Sequence, residues 1–275
     1  SRANTFMGVP TMYHRLLGTF DEADEATRKG WAKAAANLAL ATSGSAALPA
    51  RQAGRWRAIA GTIPLERYGM TEIGVGCSNP HAISGRQVGS VGPPLPTFEL
   101  RLITDDGDSQ HGPGEVWLRG PSIFTAYWRR PDATAEAFSG DWFKTGDTAE
   151  RADDDTLRLL GRTSIDILKS GGYKLSALEI EEVLREHDAV SDVAVVGLPD
   201  QIWGQRVVAA VVSRPGQAAA CCGELLRPWA KERLAAYKVP RAFVVMDALP
   251  TNAVGKVVKP AVIELLLAQG TADED

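Results

Sequence analysis

Cysteine is scarce in this chain. Three occur, Cys77, Cys221 and Cys222, and the last two are neighbours. Adjacent cysteines rarely bridge each other, because the S–S geometry strains the peptide between them. No disulfide framework and no paired zinc-ligand spacing can be built from this set. The expectation is a reducing, intracellular compartment, with Cys221 and Cys222 as incidental residues ahead of a helix. Long apolar runs are missing too, since none approaches the roughly 18 residues of a membrane span. The opening residues lack a signal-peptide pattern. An excess of positive charge is also absent. Net charge is −4 and the pI about 5.7, which argues against nucleic acid as the main partner. Neither repeats nor low-complexity stretches stand out.

What is present fits a packed core. The 275 residues are 44% hydrophobic and 23% charged, enough for one large domain or two modest ones. The chain begins at Ser1 without an initiator Met, and "NTFMGVPTMYHRLL" starts as if inside a strand. A processed or partial piece of a longer protein is therefore expected. "MGVPTMYHRLLGTF" reads as a strand end and then a helix, with Pro10 in the first turn, where a missing N–H costs nothing. "DEADEATRKGWAKAAANLAL" reads as a second helix with acids in its first turn. "ALATSGSAALPARQAGRWRAIAG" reads as strand, Gly/Ser loop and helix, and "IPLERYG" as a strand. Such alternation implies a parallel or mixed sheet covered by helices.

From about Ser90 the texture changes to short alternating runs: "VGPPLPTFELRLI", "GEVWLRG" and "DWFKTGDTAE". These suit antiparallel strands in a small barrel-like part. It changes again after "RLLGRTSIDILKSGGYK". Ser176 can cap a helix, Glu179 completes a capping box, and Leu175 can staple onto Ile180. Strands "DVAVVGLP" and "QRVVAAVVSR", a helix near "LLRPWAKERLAAY" and a strand "RAFVVMDAL" follow. This is a compact α+β module. The boundary is placed within Gly161–Asp166, dividing residues 1–161 from 162–275. The tail "AQGTADED" reads as frayed.

Four clusters carry possible chemistry. In "RYGMTE", Thr71 can donate to a phosphate oxygen, and Glu72 can hold Mg²⁺, which prefers carboxylate and phosphate oxygens. In "WFKTGD", Gly146 permits a turn that exposes Asp147, whose carboxylate can accept from two vicinal hydroxyls. In "GRTSIDILKSGGYK", Gly171 and Gly172 allow close approach of a ligand or simply make a hairpin. In "LPTNAVGKVVKP", Lys256 stands on an exposed loop. Taken singly, each has an ordinary reading as a capped turn, a Gly-Asp turn, a hairpin or a solvated lysine.

Together, in this order, they are specific. The chain resembles the adenylate-forming superfamily of acyl-CoA synthetases, luciferases and adenylation domains. "YGMTE", "WFKTGD", "GRTSIDILKSGGYK" and "TNAVGK" match its later core motifs, and "SGSAALP" its adenine-side loop. The resemblance is strongest to the malonyl-CoA synthetases, through "VPTMYHRLL", "SGSAALP", "ERYGMTE" and "RTSIDILKSGGYKLSALEIE". It implies the C-terminal part of a large α/β domain followed by a small mobile one. It also implies ATP, Mg²⁺ and CoA as cofactor and substrates, and of the two expected locations, mitochondrial or cytoplasmic, it suggests the mitochondrial.

By that resemblance Thr71 contacts the AMP phosphate and Glu72 ligates Mg²⁺. Tyr68, Gly69, Ser45 and Ala46 flank the adenine, and Asp147 holds the ribose with Arg162 beside it. Lys256 bridges ATP phosphate and substrate carboxylate. Gly171 and Gly172 line the pantetheine tunnel after the small domain rotates about a hinge at Ser164 or Ile165. Arg15 and Arg67 hold the distal carboxylate of malonate. The ordinary alternative puts Arg15 in solvent and pairs Arg67 with a local acid. The superfamily's phosphate loop, of the "YTSGTTGxPK" kind, is not found in the chain. Three readings follow: a malonate–CoA ligase lacking part of its large domain, a ligase for methylmalonate or a monocarboxylate, or a truncated homologue acting as a binding subunit.

Overall fold

The structure is a computed structural model that describes residues 3–110, 112–253 and 255–270. The expected fraying of the tail falls mainly on residues 271–275, outside the described residues. The chain divides into two compact units, Ser1–Leu159 and Leu160–Asp275. Leu160 and Gly161 go with the second unit because Leu160 O accepts the Ser176 hydroxyl at 2.6 Å and Gly161 packs on Asp166.

The first unit opens with β1 (Thr5–Gly8), α1 (Pro10–Glu22), α2 (Glu25–Ala36), β2 (Leu40–Ser43), α3 (Ala50–Ala60), β3 (Leu65–Met70) and β4 (Gly74–Ser78). Pro10 sits in the first turn of α1, and the Asp24 side chain caps α2 by accepting Thr27 N–H. Strands β1, β2 and β3 run parallel, and β4 returns antiparallel to β3. Tyr13, Leu48, Ala53 and Trp56 bury the helix faces against β2. Next come β5 (Glu99–Thr104), β6 (Gly107–Ser109), β7 (Gly114–Arg119), α4 (Pro131–Ala137), β8 (Phe138–Ser139), β9 (Trp142–Arg151) and β10 (Leu157–Arg162). They form one sheet in the order β10-β9-β7-β5-β6, with β8 on β9. Leu102, Val116, Leu118 and Phe143 form its core together with Tyr68 and Ile73 from β3 and its turn.

The second unit holds β11 (Ile167–Ser170), β12 (Tyr173–Ser176), α5 (Ala177–Arg185), β13 (Val190–Asp200), β14 (Gly204–Ser213), α6 (Gly223–Lys231), β15 (Ala242–Met246) and α7 (Lys259–Ala268). Its sheet order is β12-β11-β14-β13, with β15 parallel to β14. The β13–β14 pair is buried on both faces, which explains its nearly continuous apolar sequence. Val193, Val195, Val207 and Val211 face α5 and α6, whereas Val196, Leu198, Val208 and Ala210 face α7. Ile180 and Leu184 of α5 are fully buried, each contributing about 1.5–3 kcal/mol. Among the described residues no helix is long and apolar enough to cross a membrane.

Two local expectations change. Ser176 caps α5 as foreseen, accepting Glu179 N–H at 3.1 Å. The Glu179 carboxylate, however, does not close the capping box. Both its oxygens take Lys238 Nζ at 2.7 Å, a stronger partner than a backbone amide. The helix expected through "LLRPWAKERLAAY" stops at Lys231 and resumes only as a short 3-10 turn at Ala236–Lys238. Leaving the helix lets both Leu234 and Val239 reach the core.

Candidate active site

The turn after β3 is built by exclusion. The β3–β4 register slips between Tyr68 and Gly69. A Cβ at Gly69 would overlap Gly74 O, so only glycine passes. The chain then bends through Thr71 and Glu72. Thr71 is exposed and Glu72 half-buried. Glu72 Oε1 accepts the Tyr127 hydroxyl at 2.9 Å, and its carbonyl accepts Phe124 N–H at 2.8 Å. The carboxylate is thereby oriented through Oε1. Among the described residues no group of three or more His, Cys, Asp or Glu could cage a metal. A single oriented carboxylate fits Mg²⁺, which takes one or two carboxylates and completes its shell with phosphate oxygens and water.

Asp147 lies on β9, 79 positions from Tyr68 in sequence, yet its Oδ2 accepts the Tyr68 hydroxyl at 2.7 Å. Gly146 makes the bend at φ 72°. Its N–H donates to Glu115 Oε1 at 3.1 Å, and Asp147 N–H donates to Thr145 Oγ1 at 3.1 Å. Thr145 Oγ1 in turn donates to Val116 O at 2.7 Å. Burial, and then the negative charge of Asp147, push the Tyr68 phenol well above its ordinary pKa. It therefore remains a donor, and Asp147 is held by the motif that carries Thr71 and Glu72.

The carboxyl end of β2 and the neighbouring part of β3 hold orphaned polar atoms. Thr42 pairs with Leu65 and Ser43 with Glu66, so Thr42 and Arg67 share a face of the sheet. Thr42 Oγ1, Ser43 Oγ and Arg67 Nε are buried without a hydrogen-bond partner among the described residues. Gly44 lies against the half-buried Arg67. A Cβ there would sit 3.8 Å from Arg67 Cζ. In open α/β sheets the carboxyl ends of parallel strands are where ligands bind. Ser45, next in the chain, adopts φ 68°, and both it and Ala46 are exposed. Among the described residues Arg67 Nε meets no acid, where the ordinary alternative pairs Arg67 with one. Arg15 is exposed on α1, as that alternative has it.

Sequence reasoning passed over Glu66. It is 4% exposed. Its carboxylate accepts Gly89 N–H at 2.9 Å and Leu48 N–H at 3.2 Å, tying the Ser45–Ala46 loop to the loop before β5. An acid inside an otherwise strand-like run was the available signal.

In the second unit, Arg162 is exposed at the start of a turn through Asp166, and Ser164 and Ile165 are exposed within it. Gly171 and Gly172 form the two-residue hairpin between β11 and β12, with φ 57° and 83°, as a primed turn requires. Both are exposed, and nothing lies within 4 Å of a Cβ built at Gly172. Lys256 is exposed on a tight loop. Its N–H donates to Asn252 Oδ1 and its carbonyl accepts Asn252 N–H, both at 2.9 Å. The backbone is fixed while the ammonium faces outward. Sequence reasoning passed over Asp166 and Lys259 as well; they join at 2.5 Å.

Comparison with known proteins gives the family. Residues 1–128 match the AMP-binding enzyme family, and residues 179–256 match the AMP-binding enzyme C-terminal domain. The mitochondrial malonate–CoA ligase of Bos taurus is 40% identical over 96% of this chain and 49% of its own length. The malonate–CoA ligase of Arabidopsis thaliana is 42% identical over 92% of this chain and 43% of its own. The crystal structure of ATP-bound MatB from Rhodopseudomonas palustris superposes with a TM-score of 0.84 at 34% identity, covering 96% of this chain and 51% of that one. The chain thus spans about half the length of the curated relatives it matches. On these grounds it belongs to the AMP-binding, adenylate-forming enzyme family and includes that family's C-terminal domain.

Proposed function

We propose that the complete enzyme is a malonate–CoA ligase. The observation that carries this reading is Arg67, half-buried with its Nε lacking any acceptor. A buried N–H without an acceptor is costly, and the planar fork that carries it suits a carboxylate. The distal carboxylate of malonate supplies that partner. Malonate ligases among the relatives agree with the choice of acid.

The reaction has two halves. In the first, a malonate carboxylate oxygen attacks the α-phosphorus of ATP. The new O–P bond forms as the bond to pyrophosphate breaks. Lys256 and Thr71 offset charge on the phosphate oxygens, which is electrostatic stabilisation of the transition state. Asp147, oriented by Tyr68, accepts from the ribose hydroxyls with Arg162 beside it. Tyr68, Gly69, Ser45 and Ala46 flank the adenine. Glu72 would hold Mg²⁺, which would supply neutralisation of phosphate charge. In the second half the CoA sulfur attacks the acyl carbonyl, its proton goes to solvent, and AMP leaves. Gly171 and Gly172 line the approach of the thiol, after the small unit turns about Ser164 or Ile165. A mitochondrial location belongs to the same proposal, since the Bos taurus relative carries that name.

A second reading rests on Arg15. It is exposed rather than enclosed beside Arg67, which suits a ligase for methylmalonate or a monocarboxylate. Product analysis with the complete enzyme, ATP, CoA and single acids decides. Formation of malonyl-CoA, AMP and pyrophosphate is expected. If the only thioester formed comes from a monocarboxylic acid, the malonate assignment is wrong. If no acid yields one, a non-catalytic binding subunit becomes the better account.

A further inference from the structure

Three residues past Lys256 stands a second lysine that this reaction leaves unused. Lys259 opens α7 and is 8% exposed, and lysine is almost never so buried unless paired. Its Nζ lies 2.5 Å from Asp166 Oδ1 and 2.8 Å from Glu181 Oε1. Both carboxylates are buried. Glu181 is anchored in its own right: Oε1 accepts Val195 N–H at 2.8 Å, and Oε2 faces Arg185 at 3.3 Å. The other oxygen of Asp166 accepts Arg162 N–H at 2.9 Å, and Asp166 N–H returns to Arg162 O at 2.7 Å. One carboxylate therefore holds the backbone of Arg162 on one side and the foot of the Lys256 loop on the other.

The link from Lys259 back to Lys256 is short and stiff. Val258 N–H donates to Pro250 O at 2.9 Å, Thr251 and Val257 form a bridge, and Asn252 clamps Lys256 at the tip. A buried ion pair is weak evidence for stability, because desolvation offsets most of its attraction. What it supplies is a fixed direction.

Resting on the reading that Arg162 and Lys256 face the nucleotide, we infer that Asp166 and Lys259 are a positioning pair. They latch the two cations to each other, so that the turn at Arg162–Asp166 and the Lys256 loop move as one piece. Neither side chain touches substrate.

The test uses two variants of the complete enzyme, the second of them charge-balanced. Asp166→Asn keeps an acceptor for Arg162 N–H and leaves Lys259 with Glu181. Asp166→Asn combined with Lys259→Gln leaves Glu181 with Arg185. In both, amide hydrogen exchange is expected to quicken about tenfold or more at residues 162–166 and at 251–258 together, with β13 and β14 unchanged. Pyrophosphate exchange should fall about tenfold to a hundredfold, and thioester formation from supplied acyl-adenylate by less than about threefold, because small misplacement of a catalytic group is expensive. Lys259→Arg should recover part of the exchange activity. Wild-type protection of the 251–258 loop in a variant whose 162–166 turn has loosened would overturn the latch, as would equal loss in both half-reactions. If the wild-type enzyme exchanges pyrophosphate with no acid, the proposed function fails, while the amide data still decide the latch.

Discussion

In the proposed function, substrate choice turns on Arg67. Removing one partner of a buried charge pair costs roughly 2–5 kcal/mol. At about 1.4 kcal/mol per tenfold, Arg67→Ala should lower kcat/KM for malonate roughly 30- to 3,000-fold in the complete enzyme. Propionate has no second charge and should lose much less. Cys77 gives an independent check of the packing. Burial pushes its thiol up to about 12, and the thiolate is the reactive species. Alkylation of Cys77 at pH 8 should therefore be negligible in the native protein and ready after denaturation; fast native labelling would mean that the core around Tyr68 is open. Residue identity was partly legible. Thr71, Glu72 and Asp147 were singled out by their motifs, and the structure joins Tyr68 to Asp147. Glu66 and Asp166 were not, because hydropathy places acids outside. In the turn after Arg162 the rule inverts: Ile165 is 42% exposed and Asp166 is 9%. The partners make that sensible: Arg162 N–H nearby and Lys259, 93 positions away.

Elements were read well where local chemistry decides them. Pro10 and Asp24 start the first two helices, and Ser176 starts α5. Ser176→Ala should cost about 1–2 kcal/mol, since the cap to Glu179 is lost together with the bond to Leu160 O. Chemical denaturation would show it as a lower midpoint at constant slope. Gly69→Ala should be harsher, about 3 kcal/mol or more, because its Cβ meets backbone rather than a movable side chain. A near-neutral result would mean that the bend carrying Thr71 and Glu72 is not the one described. What failed at this scale was tertiary. Lys238 captures Glu179, and Leu234 and Val239 pull the chain out of helix. Neither competitor lies within the window that a helix reading inspects.

At the scale of the whole molecule, the chain divides into two compact units between Leu159 and Leu160, and the proposed reaction asks the second to serve both halves. Lys256→Ala in the complete enzyme should cripple pyrophosphate exchange far more than thioester formation from supplied malonyl-adenylate. A bulky residue at Gly172 should show the reverse bias, since open space surrounds that position in its own unit. Equal losses in both half-reactions would rule out the alternating role. The central claim remains the acid. The most direct measurement is the kcat/KM of the complete enzyme for malonate relative to propionate, taken in wild type and in Arg67→Ala by AMP formation. Malonate should be preferred by the wild type, and the preference should collapse in the variant through loss on malonate alone. An unchanged ratio, or a wild type that prefers propionate, would contradict the account.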